Sequence, residues 1–168
     1  QLTGSEQAEW YRRLGAEQDN IREALEHACD TADGERALMF AGSIWRFWLN
    51  RGQIGEATRW YERVFAIGGD VSHVARARSL FGATHIAEAR GDEELIERFE
   101  EVVDALRVSG ETRWQILAMT HLALAYAYER GDKERAERLS TEALAHARET
   151  GDKRGEAITI SNLSHHLL

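Results

Sequence analysis

Apolar residues recur along this chain at intervals of three and four, the spacing of a helix with one buried face. No stretch alternates apolar and polar residues for the length of a strand. The pattern predicts an all-α fold of about nine helices, at 5–14, 18–31, 35–50, 53–67, 72–90, 93–108, 112–130, 133–149 and 153–168, the last cut short. The breaks are brief and carry glycine: Asp33-Gly34, Arg51-Gly52, Gly68-Gly69-Asp70, Gly91-Asp92, Ser109-Gly110, Gly131-Asp132 and Gly151-Asp152. Glycine can take the left-handed conformation that ends a helix, and an aspartate after it can cap the next one. Proline, which would break such helices, is absent.

A longer period lies over the helical one. Gly52 is followed by Ala57, Trp60 and Val64; Gly91 by Ile96, Phe99 and Val103; Gly131 by Ala136, Leu139 and Ala143. Each set falls five, eight and twelve residues after its glycine, and the glycines are 39 and 40 residues apart. A fixed period in the range of about 20–50 residues is the mark of a stacked repeat array. Helices joined by such short turns form antiparallel hairpins, and each hairpin leaves an apolar face that only the next can cover. The outer two positions of the set are mostly small and let helices approach, while the middle one is a large knob that fills the space between layers. The chain therefore reads as one helical-repeat domain, 1–168, with units at about 1–33, 34–70, 71–110, 111–151 and a truncated 152–168. It starts at Gln1 rather than Met and its last helix has no closing cap, so it is expected to be a piece of a longer protein.

The Gly-Asp turn followed by Glu134-Arg135-Ala136 and Glu142-Ala143-Leu144 resembles a tetratricopeptide repeat. The likeness is best in the second helix of each hairpin. The first helices depart from it, with Ile44, Ala83 and Ala123 where that family usually has Leu, and the period exceeds its usual 34 residues. The first third carries a more particular resemblance. Trp10, Leu14, Glu17, Asp19-Asn20-Ile21-Arg22 and Ala24-Leu25, then Leu38, Ala41, Trp45, Phe47-Trp48, Arg51-Gly52, Glu56 and Trp60, are similar to the start of the helical-repeat sensor region of STAND-class bacterial signalling ATPases and transcription regulators. The resemblance implies a right-handed superhelical solenoid that follows a nucleotide-binding domain, senses an inducer or partner, and restrains or releases the ATPase.

Composition narrows the function. The formal charge is −8, against a dedicated nucleic-acid surface or an anionic membrane. No apolar run reaches the roughly 18 residues of a transmembrane span. A lone cysteine, Cys29, allows no internal disulfide and fits a reducing, cytoplasmic setting; its apolar helical neighbours suggest a small buried residue. There is no phosphate loop, no nucleophile elbow and no His-Glu-x-x-His. The histidines His27, His73, His85, His121, His146, His165 and His166 show no metal-ligand spacing. The expectation is a module without catalytic residues, metal or cofactor.

Such a module would hold a protein, a peptide or a small inducer in a concave groove lined by first helices. The candidate contacts are Trp45, Arg46, Arg51, Phe81, His85, His121 and Tyr128, aromatic or cationic residues placed on those helices or, for Arg51, just after one. Two readings stay open for them. The histidines and Trp45 either face the groove or are buried between layers. The acidic run Glu93, Glu94, Glu97, Glu100, Glu101 and Asp104 is likewise either a solvated outer face or a docking site for a basic partner. A free-standing peptide-binding adaptor is the alternative to the sensor.

Overall fold

The computed structural model describes residues 6–166, with the side chains of His165 and His166 left out. The described residues form helices α1 (Gln7–Ala16), α2 (Gln18–Asp30), α3 (Gly34–Asn50), α4 (Ile54–Ala66), α5 (His73–Arg90), α6 (Leu95–Ser109), α7 (Thr112–Glu129), α8 (Lys133–Thr150) and α9 (Lys153–His166), with no strand among them. None of these helices is long and apolar enough to cross a membrane. The chain divides into two compact units, Gln1–Asp92 and Glu93–Leu168. The expected start of the first helix at residue 5 and the last two residues of the ninth lie outside the described residues.

Ser72 rather than Asp70 caps α5, accepting the Ala75 amide at 3.1 Å; otherwise the turn chemistry follows the sequence with two exceptions. Gly52, Gly91, Gly110, Gly131 and Gly151 all adopt positive φ, and Asp132 and Asp152 accept the N3 amides of α8 and α9 at 3.0 and 3.1 Å. Gly34 is the first exception, because it is the first residue of α3 and Ala32 takes the left-handed position before it, at φ 51°. Gly34 is needed for space instead: a Cβ there would lie 2.9 Å from the Gly68 carbonyl oxygen. The second exception is α6, which begins two residues later than the pattern predicts. Glu94 precedes it at φ 67°, without a side-chain cap, and Asp92 accepts the Arg90 Nε hydrogen at 2.5 Å rather than capping.

In the first unit, α3 packs on α2, α4 and above all α5. Contacts advance together along α3 and α5. Glu35 accepts from the Ser72 amide and hydroxyl at 2.7 and 2.8 Å, and the Ser79 hydroxyl donates to the Leu38 carbonyl at 2.7 Å. The two first helices therefore run parallel, and their partners are separated by 37 and 41 residues, which bracket the 39- and 40-residue repeat. The approach is close. A Cβ on Gly42 would lie 2.9 Å from the backbone of Arg78 and Ser79, and one on Gly82 would lie 2.2 Å from the Tyr61 hydroxyl. Tyr61 of α4 wedges between them and donates to the Ala41 carbonyl at 3.0 Å. Burial pushes its phenol pKa well up, so the hydroxyl keeps the proton this bond needs.

The second unit repeats the device. α7 packs on α6, α8 and α9. The Thr120 and Thr159 hydroxyls lie 3.4 Å apart, 39 residues apart in sequence, and Gly155 brings α9 against Ile116. Second helices are stitched at their edges: Arg22 donates to both carboxylate oxygens of Glu56 at 2.7 and 2.8 Å, and Arg135 donates to Glu100 at 2.7 Å. The glycine-spaced positions have the roles their sizes suggest. Ala57, Ile96, Ala136, Val64, Val103 and Ala143 are buried, as are the knobs Trp60 and Phe99; Leu139 is half-buried.

Candidate functional site

The surface available to a ligand depends on which side chains the helix contacts consume. On α3, the face carrying Leu38, Ala41, Gly42 and Trp45 is spent on α4 and α5. Residues 36, 39, 40 and 43 fall on a different stripe, as a 3.6-residue period requires. Toward the C-terminal end of α3, α1 lies against that side. The Tyr11 hydroxyl receives a hydrogen bond from Asn50 at 2.6 Å, and Gly15 faces the Arg51 guanidinium.

Toward the N-terminal end the stripe is open. Arg36, Met39, Phe40 and Ser43 of α3 face Ala24 and Ala28 of α2 across a groove of about 350 Å³. Met39 and Phe40 are half-buried and Ala24 is exposed. The only charge among the lining residues is Arg36, which pairs with Asp33 at 3.4 Å. Such a groove offers apolar contact and almost no polar orientation, so its capability is docking rather than reaction. A second concavity of about 440 Å³ is lined by Arg22, Glu56, Arg59, Trp60 and Arg63. Three of its four charges are committed, Arg22 to Glu56, and Arg63 over the Trp60 ring at 4.8 Å while 3.4 Å from Glu26. The hydrogen bond from Arg22 holds the Glu56 carboxyl below the usual carboxylate range, and the same partner raises the Arg22 guanidinium.

The sequence-predicted site residues divide between interior and surface. Trp45, Phe81 and His85 are 3%, 0% and 4% exposed, so the expectation that they line an open groove is corrected. They form one packed aromatic cluster between α3 and α5. His85 stacks on Trp45 with centroids 4.4 Å apart, and Phe81 meets Trp45 edge-on at 5.7 Å and His85 at 4.6 Å. The physical reason is Gly82. With no side chain there, the Trp45 ring settles against α5, and the neighbouring turns of α5 close around it. Arg46 is half-buried with its guanidinium 4.3 Å over the Trp45 ring. Burial pushes the His85 pKa below its ordinary value, opposed by a 3.1 Å hydrogen bond from Nδ1 to Glu88.

The other candidates are not part of that cluster. Arg51 is exposed beside Phe47, 5.9 Å from its ring. In the second unit, His121 is half-buried and stacked on Phe99 at 5.6 Å, which leaves it less open than expected, whereas Tyr128 is 68% exposed. The acidic run of α6 is mostly exposed but not unpaired. Glu97 holds Arg130, and Glu100 accepts from the Tyr126 hydroxyl at 2.6 Å. Cys29 is half-buried, and burial raises its thiol pKa. Sequence reasoning missed the α2–α3 groove. Its signal was the small pair Ala24 and Ala28, one turn apart, opposite the adjacent large residues Met39 and Phe40.

Compared with known proteins, the chain matches no protein-family model and no curated protein.

Proposed function

We propose that this chain is a non-catalytic binding module, the repeat sensor of a larger cytoplasmic signalling protein. The observation that supports the reading best is the repeat made physical. Residues about one period apart meet across neighbouring first helices, the Ser79 hydroxyl with the Leu38 carbonyl in one unit and the Thr120 hydroxyl with that of Thr159 in the other. A frame held by layer-to-layer contacts leaves the remaining stripe of each first helix free to differ with the ligand. In the first unit that stripe forms one wall of the α2–α3 groove.

In this reading the stacked hairpins build a right-handed superhelical solenoid. It takes a protein, a peptide or a small inducer on its inner face and is joined to an ATPase domain in the parent chain. Its mechanism is population shift. A ligand that binds one arrangement of the module better than another biases the ATPase by that difference in affinity and by no more. The test uses the full-length gene product. The reading expects an ATP-binding domain upstream of this module, and a basal ATP turnover that changes severalfold when residues 6–166 are deleted. Unchanged turnover, or an open reading frame with no phosphate loop, overturns the sensor.

A further inference from the structure

We draw no further inference here: the strongest candidate, the apolar groove between α2 and α3 floored by Ala28 and Phe40, belongs to the candidate site already described, and nothing in the structure shows what covers it.

Discussion

Replacing Gly82 with Ala is expected to destabilise the first unit, against the usual trend. In a helix interior the change normally gains about 0.5–1 kcal/mol. Here the new methyl would start 2.2 Å from the Tyr61 hydroxyl, 3.0 Å from the Trp45 Cβ and 3.1 Å from its Cδ1. Something must move, and neither neighbour moves freely. Trp45 is sandwiched between His85 and Arg46, and Tyr61 is tied to the Ala41 carbonyl. Overpacking a core in this way costs about 1–3 kcal/mol. Turning the buried hydroxyl away from its carbonyl adds about 1 kcal/mol. Less the propensity gain, the net loss is about 1–3 kcal/mol, roughly 2–10 °C in Tm at this chain length. Tyr61→Phe alone removes one hydrogen bond and costs about 1 kcal/mol. Combined with Gly82→Ala it also removes the closest clashing atom, so the double variant should be more stable than the sum of the singles by about 1–2 kcal/mol. Urea denaturation of the four proteins measures the cycle. A neutral or stabilising Gly82→Ala, or strict additivity, would refute the close α3–α5 approach.

Ala136→Asp places a carboxylate at a fully buried repeat position, at a cost of several kcal/mol, and should unfold the second unit; a circular-dichroism melt within a degree or two of the parent would mean the repeat register is wrong. The His85 pKa is lowered by folding, so its contribution is intact above the ordinary value of 6.5 and is lost as pH falls below it, when the unfolded chain takes the proton first. Urea midpoints between pH 7.5 and 5.5 should fall for the parent and fall less for His85→Gln, and equal slopes would remove His85 as the cause. Glu56→Gln leaves half of a partly exposed ion pair and should cost about 1 kcal/mol or less, fading with added salt; a salt-independent loss of about 3 kcal/mol would show a desolvated anchor instead. The isolated chain is expected to hydrolyse no ATP, and saturable turnover that survives successive purification steps would overturn the non-enzyme reading.

The frame was legible because helix period, turn glycine and repeat length are all one-dimensional signals. Gly131-Asp132 announces both the end of α7 and the cap of α8, and the structure has both. Close approach is not one-dimensional. Gly34 looks like a turn glycine, yet it is helical and pressed against Gly68, and Gly42 and Gly82 gave no sign that another helix sits on them. The late start of α6 escaped because Glu94 takes a left-handed conformation that its residue type disfavours. The site residues were misread for a related reason. Trp45 and His85 are chemically suited to binding, and only the α3–α5 contact shows that each is already bound to the other. The groove was missed because its one signal, the small pair Ala24 and Ala28, gains meaning only once α2 lies opposite Met39 and Phe40 of α3.

If the sequence period is the spacing of packed layers, side chains one period apart must meet. Thr120 and Thr159 test it directly, since their hydroxyls are 3.4 Å apart across α7 and α9. With Cys29→Ala to remove the native thiol, Thr120→Cys and Thr159→Cys together should close a disulfide under mild oxidation, because side-chain γ atoms that near can reach bonding geometry with a small shift. Cleavage at Lys133, between the two positions, should then leave fragments joined until a reductant is added. Two thiols that stay free to react in the folded protein, with fragments that separate without reductant, would contradict the stacking on which the functional reading depends.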